Sequence, residues 1–429
     1  MSPAELAQLL TALALLLTTA HAMGQVFVHF KQPRVIGEIS GGLLLGPTLL
    51  SSLVPGPMAW AFPQQGPVPP VLAAIYQLGL ILLMYTSGAE MRSSFQGGEW
   101  RLVAALSSGG TVIPFVAGLL LLGVYDSRSH HGIAGNETAF LLVFATAIAV
   151  TSIPVISRIM LDLGILDTAF ARIVLATAVF EDIVLYAVLA VALGLVQAQQ
   201  HQSFGLPDLL GLAPGSGWNA GYYVIASILF LGLALLLGPR LFRRAYHFRF
   251  NVLRWSNPIG FQIVFVLAVT GLCLFLGVTA LLGALVAGLI ASTSSERRGV
   301  EARESIKRFA AGFFVPAYFA LVGFRLNLAR DLDPWFFAWF LCFACLVKAL
   351  SLYASARAVG ESHAAALNLA VALNARGGPG IVLASVGLDA GIIDEGFFAV
   401  LVLLAVVTSL MAGTWLGREV RAGGSSLLA

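Results

Sequence analysis

Charge is scarce in this sequence: Asp, Glu, Lys and Arg make up 10% of its 429 residues. A soluble globular chain carries roughly 25%, so this one cannot cover a water-facing surface of ordinary polarity, which excludes a cytosolic enzyme. The formal net charge is only +3 and is dispersed, which argues against nucleic acid or another polyanionic partner. Three cysteines are too few for a disulfide framework. The alternation over about ten residues that marks a barrel strand is missing as well. Apolar surface is what the chain has in abundance, with 59% hydrophobic residues and a mean hydropathy of +0.90. The chain therefore reads as an all-α polytopic membrane protein.

A helix needs about 20 mostly apolar residues to cross a hydrocarbon core. Breaking the sequence at charges and Gly/Pro clusters gives about thirteen such spans. They fall near residues 5–30, 35–50, 69–87, 101–125, 138–159, 168–195, 220–237, 258–276, 278–291, 309–328, 334–356, 362–388 and 396–416. Lys and Arg mark cytoplasmic loops. With the N-terminus outside, the inward side collects Lys31, Arg34, Arg92, Arg101, Arg158, Arg172, Arg357, Arg418 and Arg421. It also collects the cluster Arg240, Arg243, Arg244, Arg249 and Arg254, and the basic residues of 297–308; only Arg128 and Arg330 fall outside. This orientation leaves the C-terminus in the cytoplasm. Ala20-His21-Ala22 resembles a leader cleavage site, but no basic stretch precedes it, so the first segment is expected to stay as a span.

Two spans are interrupted. Thr151, Ser152 and Pro154 sit inside the fifth, and Asn374-Ala-Arg376-Gly377-Gly-Pro379-Gly inside the twelfth. Proline removes an N–H and clashes with the preceding turn, freeing carbonyls that lipid cannot satisfy. Each break lies on the fifth helix of a six-helix half if the chain divides as 1–197, a linker helix and basic inner loop at 198–256, 257–417 and a short tail at 418–429. The odd linker span makes the halves insert with opposite orientation, an inverted-topology repeat. Paired broken helices in corresponding positions point to a transport site.

By hydropathy, two of the 21 acidic residues lie deep in a span, Glu181 and Asp182, about 21 Å of helix beyond Thr168. Lys348, Arg325 and Arg376 are the deep bases. A charge at mid-bilayer costs about 2.5 kcal/mol or considerably more, so such groups face protein or water and pair. Neighbours on a helix point about 100° apart. The expected arrangement pairs one of the two with Lys348 and leaves the other facing a hydrated cavity. A carboxylate so placed holds a proton or helps to dehydrate a hard monovalent cation, with the Thr151 and Ser152 hydroxyls and broken-helix carbonyls as further oxygen ligands. Competition for it, with alternating access, exchanges cation for proton. Arg325 is expected to snorkel to the outer interface, and Arg376 to brace the crossing or neutralise helix C-terminal carbonyls.

The stretches Pro33 to Pro47, Thr151 to Met160, Ala176 to Leu189 and Asn374 to Ala384 resemble the monovalent cation:proton antiporter-2 family, nearest to the plant endomembrane exchangers and their bacterial relatives. The likeness covers essentially the whole chain in order. It implies a core domain with two crossed, unwound helices, a dimerisation domain, an elevator motion and a homodimer in a bacterial inner membrane. It implies Na+ or K+ and H+ as substrates, with no cofactor and no nucleotide-binding regulatory domain. It also implies that Asp182 is the ion- and proton-binding aspartate, that Glu181 precedes it and that Lys348 pairs with Glu181. Electrogenic members usually carry Asp-Asp here, and electroneutral ones Asn or Gln before the Asp. Glu181 matches neither and keeps the charge on a longer arm.

Competing readings fit less well. A cation-driven symporter of an organic anion needs no titrating mid-membrane acid. An intramembrane aspartyl protease needs carboxylates on different helices facing one water. A sensor without transport would tolerate loss of Asp182. Among weaker features, Cys342 and Cys345 read as a chance helical pair, His130-His131 as solvated, Asn136-Glu-Thr138 as a fortuitous glycosylation tripeptide and 296–308 as a surface loop. Gly37, Gly41, Gly42 and Gly46 have small-xxx-small spacing for close helix packing, within or between subunits.

Overall fold

The computed structural model describes residues 1–30, 32–91, 100–123, 125, 127–166, 168–199, 204–212, 217–248, 251–294 and 296–423. Lys31, Arg92 and Arg249 lie outside these residues, as does 424–429 of the expected tail. The described residues are helical apart from loops and one isolated bridge between His131 and Ile393.

In the first part of the chain the helices are α1 (Pro3–His29), α2 (Arg34–Leu45), α3 (Val68–Met91), α4 (Trp100–Leu122), α5 (Glu137–Ala149), α6 (Ile153–Asp162) and α7 (Ala169–Gln197). Next come α8 (Gly217–His247), α9 (Pro258–Phe275), α10 (Ala280–Ala291), α11 (Arg297–Phe309) and α12 (Val315–Arg325). The last four are α13 (Pro334–Ala358), α14 (His363–Ala372), α15 (Gly378–Asp389) and α16 (Glu395–Arg421). Side chains cap many starts and satisfy N–H groups that the helix leaves free. Ser2 and Glu5 form a capping box on α1, and Asn257, Thr279, Asp333, Ser362 and Asp394 cap α9, α10, α13, α14 and α16.

Ten helices among the described residues are long and apolar enough to cross a bilayer, and four apolar helices are shorter. Two predicted spans are split: 138–159 into α5 and α6, and 362–388 into α14 and α15. Segment 296–308 is not a loop but α11, joined to α12 through a π-helical turn, Ala310–Phe314. Gly299, Ala302 and Ile306 recur at helical spacing and are buried, so one face packs while the charged face stays wet. Arg240, Arg243 and Arg244 likewise lie on the last turns of α8 and not in a loop.

The chain divides into two compact units: unit 1 is Met1–Tyr76, Gln96–Leu185 and Pro316–Ala429, and unit 2 is Gln77–Phe95 and Tyr186–Val315. Each unit draws on both expected halves. In unit 1, α2 is pressed between backbones. A Cβ at Gly37 or Gly41 would collide with the Met23 or Thr19 backbone of α1, and one at Gly42 or Gly46 with Ala320 or Phe324 of α12. These glycines therefore pack helices within one chain. In unit 2, α3 crosses α10 closely, with Gly88 against the Leu285 carbonyl and Gly288 against that of Tyr85. A polar line follows: Tyr85 Oη donates to Gln262 Oε1 at 2.6 Å, and Gln262 Nε2 donates to the Gly299 carbonyl at 2.8 Å. Arg303 caps the end of α10 by donating to the Ala291 and Ser294 carbonyls at 2.7 and 2.9 Å.

Candidate functional site

Both broken helices lie in unit 1, and their unwound segments are bonded to each other. The first runs from Val150 to Ser152 in extended conformation between α5 and α6, and the second covers 373–377 between α14 and α15. Ser152 N donates to the Ala375 carbonyl at 2.9 Å, and Thr151 Oγ1 to that of Leu373 at 2.5 Å. Each second half-helix restarts with proline as its second residue, Pro154 in α6 and Pro379 in α15, where the missing N–H is no loss. Gly377 allows the approach, since a Cβ there would meet Val155 and stand 2.7 Å from Ser152 Oγ.

Breaking α5 leaves its last carbonyls without intrahelical donors at the negative end of the helix dipole. Two buried cations take them. Lys348, from α13, donates to the Ala149 carbonyl, and Arg376 Nη2 donates to that of Ile148 at 2.8 Å. Arg376 also donates to the Ala344 carbonyl at 2.9 Å and to Asn374 Oδ1 at 2.7 Å, while Asn374 Nδ2 donates to the Cys345 carbonyl at 2.9 Å. Lys348 completes its shell with Glu181 Oε2 at 2.8 Å, and both side chains are essentially unexposed.

Asp182 is buried beside this pair, 1% exposed, and its Oδ1 has no hydrogen-bond partner. The expected hydrated cavity is therefore corrected: the carboxylate is enclosed by protein, as are Glu181 and Lys348 beside it. Ser152 Oγ and Thr177 Oγ1 are also buried without a partner. Two carboxylates and two bases thus share one enclosed region, and two carboxylate oxygens, Asp182 Oδ1 and Glu181 Oε1, are free to take a proton or an ion.

Several supporting residues escaped the sequence reading. Thr408 and Ser409 of α16 hold the second break, with Arg376 N donating to Thr408 Oγ1 at 3.1 Å and Ser409 Oγ donating to the Arg376 carbonyl at 2.8 Å. Their adjacent hydroxyls within an apolar span were the available signal. Gly110 of α4 makes room for the acid, since a Cβ there would stand 2.8 Å from Glu181 Oε1. A third acid, Glu38, is buried in α2 and paired with Arg34 at 3.1 Å. Hydropathy missed it because it lies one turn from the helix start.

Arg325 does not simply snorkel. It pairs with Asp389 at 2.5 Å and lies over the Tyr76 ring at 4.7 Å. His130 is not solvated: it stacks on Phe336 at 4.1 Å within an aromatic cluster and lies 3.9 Å from Asp394. Burial is the main cause lowering its pKa, opposed by the nearby Asp394 and Asp333. Asn136 caps α5 by accepting from Ala139 N at 2.8 Å. Cys342 and Cys345 are free thiols.

A family model described as the transmembrane sodium/hydrogen exchanger matches residues 12–422. The chain belongs to this family. The exchanger chain is 26% identical over 417 residues to the Na(+)/H(+) antiporter NhaS4 of a Synechocystis strain, covering 94% of this chain and 95% of that protein. It is 26% identical to Cation/H(+) antiporter 15 of Arabidopsis thaliana over 88% of this chain, but spans only 44% of that longer protein. Its fold is similar to that of the sodium proton antiporter MjNhaP1 of Methanocaldococcus jannaschii at pH 8, with a TM-score of 0.64, 16% identity and 99% of each chain covered. The resemblance to cation/proton antiporters thus stands at the level of the family, whose members are transporters and not enzymes.

Proposed function

We propose that this exchanger moves a monovalent cation, Na+ or K+, against protons by alternating access, with Asp182 binding cation and proton in turn. The observation that carries this reading is the free, buried Asp182 Oδ1 beside a Glu181 whose charge Lys348 already neutralises. A carboxylate relieved of structural duty can change its occupant without breaking the crossing. Thr151, Ser152 and the carbonyls of the breaks are the remaining oxygen ligands, and Arg376 with Asn374 and Gly377 braces the second break. An enclosed acid that must be occupied before it is re-exposed couples the two fluxes, because a bare charge is costly in a dry site.

The reading extends to an inverted repeat with the N-terminus outside, about thirteen membrane crossings including the broken and short helices, a bacterial inner membrane and a homodimer. The lopsided distribution of Lys and Arg supports the orientation.

The test is proton flux in proteoliposomes holding a pH dye, challenged in turn with Na+, K+ and Li+, with Asp182→Asn run beside wild type. Cation-dependent proton movement that disappears in the variant is the expected result and identifies the preferred ion. An unaffected variant would remove Asp182 from the site, and wild type without cation-driven flux would favour the symporter reading.

A further inference from the structure

We propose that Thr177 and Ser107 hold an enclosed water against Glu181 Oε1, forming a proton relay between the buried acids and the inner face along α4 and α7. The relay rests on the exchange reading above and names the groups that deliver its proton. Three oxygens of unit 1 point to it: Glu181 Oε1, Thr177 Oγ1 and Ser107 Oγ are each buried with no hydrogen-bond partner among the described residues. Thr177 is 0% exposed and Glu181 2%, so lipid and bulk water do not answer them.

The helix registers bring these oxygens to one place. Lys348 occupies Glu181 Oε2 at 2.8 Å, and Oε1 lies against α4, where a Cβ at Gly110 would stand 2.8 Å from it. Thr177 precedes Glu181 by four residues on α7, a spacing that puts both side chains on one face with Cβ atoms about 5–6 Å apart. Ser107 precedes Gly110 by three residues on α4, about 4.5 Å along the axis. Both helices start at the inner face in the proposed orientation, so both hydroxyls lie on the inner side of Glu181. Pro114, inside α4, has no N–H to offer the Gly110 carbonyl four residues earlier, which adds an acceptor where α4 meets the acid. Neighbouring hydroxyls behave differently. Ser108 bonds back to the Ala104 carbonyl at 2.7 Å, Ser351 to that of Lys348 at 2.9 Å and Ser355 to that of Ser351 at 2.8 Å, the ordinary habit of a hydroxyl within a helix. Thr177 and Ser107 withhold that bond, and they do so on the α4–α7 side of Glu181.

Water suits this set better than a second cation. A buried water makes about three hydrogen bonds, and it can donate to the carboxylate oxygen while meeting two hydroxyls that donate or accept. A cation there would stand beside Glu181 and Lys348, whose charges already cancel, and would lose its hydration without gaining a counter-charge. On loading, Ser107 Oγ takes a proton from hydronium on the inner side as its own proton passes to the enclosed water. That water gives one of its protons to Glu181 Oε1, so hydronium becomes water and the carboxylate becomes a carboxylic acid. Glu181 then yields the proton to ionised Asp182, the adjacent acid, and regains the charge that faces Lys348. Thr177 positions the water throughout, and release to the inner face runs the same steps backwards.

The experiment measures cation-dependent proton flux in proteoliposomes for Thr177→Val/Ser107→Ala, and Na+ and K+ binding to the same full-length protein in detergent by titration calorimetry. The double variant is expected to slow flux about tenfold or more while cation affinity and the thermal melt stay as in wild type, because neither hydroxyl bonds to Asp182 Oδ1. Thr177→Ser, which keeps the hydroxyl, should retain wild-type flux. Weakened cation binding in the double variant would make the hydroxyls cation ligands, and undiminished flux would leave the water no proton to carry; either result overturns the relay. A cryo-EM map of wild type without Na+ or K+ provides a readout independent of transport. Density within hydrogen-bond reach of Glu181 Oε1 and Thr177 Oγ1 supports the enclosed water, whereas none, or density that appears only with the cation, overturns it. Asp182→Asn in the same vesicles separates the two readings: if it abolishes flux and the double variant does not slow it, the relay alone fails, and the converse removes Asp182 while the relay stands.

Discussion

Two ion pairs in unit 1 join the same kinds of charge in different surroundings. Glu181 and Lys348 meet at 2.8 Å with side chains 1% and 0% exposed, while Arg325 and Asp389 meet at 2.5 Å with 39% and 30% exposed. Distance alone would rank the outer pair first. Burial reverses the order, because an exposed pair gains little over hydration whereas a buried charge that loses its partner has no water to turn to. The inner pair also holds a broken helix: Lys348 satisfies the Ala149 carbonyl as well as Glu181. The outer pair joins the ends of α12 and α15 and has no carbonyl to satisfy in either break.

The sharpest way to break this contrast is at the acid that belongs to no pair. Asp182→Asn is expected to abolish cation-dependent proton flux while leaving the thermal melt of the purified protein close to wild type, since Oδ1 has no hydrogen bond to lose. Next in size, Lys348→Ala should lower stability by about 3–5 kcal/mol by stranding Glu181. The double variant with Glu181→Ala should recover part of that loss, and a thermal double-mutant cycle measures the coupling. Gly110→Ala, which drives a methyl toward Glu181 Oε1 and Leu352, should cost about 1–3 kcal/mol as overpacking and lower flux with it. Arg325→Gln should cost no more than about 1 kcal/mol and leave flux intact; an effect as large as that of Lys348→Ala would refute the ranking by burial.

The smallest expected effect comes from His130, outside the spans. Burial lowers its pKa from the ordinary 6.5, so the unfolded chain binds the proton more readily and stability rises with pH across this range. On acidification through 6.5 and below, the apparent Tm should fall. His130→Gln should remove that part of the slope, and an unchanged slope would assign it to other groups.

The two breaks could be read locally because proline and clustered glycine disrupt a helix wherever they stand. The buried charges could be read because each is anomalous in an apolar run. Beyond the pairing of Glu181 with Lys348, their partners could not. Ile148, Ala149 and Ala344 act through backbone carbonyls, which carry no signature in the side-chain sequence. Thr408 and Ser409 looked like ordinary span hydroxyls until Arg376, more than thirty positions earlier, was bonded to them. His130 was misread for a related reason: a polar loop surrounds it in sequence, whereas Tyr125, Phe336 and Phe397 surround it in space.

Composition by itself determined that this chain lives in a bilayer, because so few charges cannot hydrate a surface. Hydropathy determined where the membrane-crossing helices lie, and Pro154 and Pro379 where two of them resume. Tertiary structure decided which acid is neutralised and which is free. Glu181 and Asp182 are adjacent and chemically alike, and the rotation of about 100° between neighbours on a helix turns only one of them toward Lys348, which lies 167 residues away along the chain.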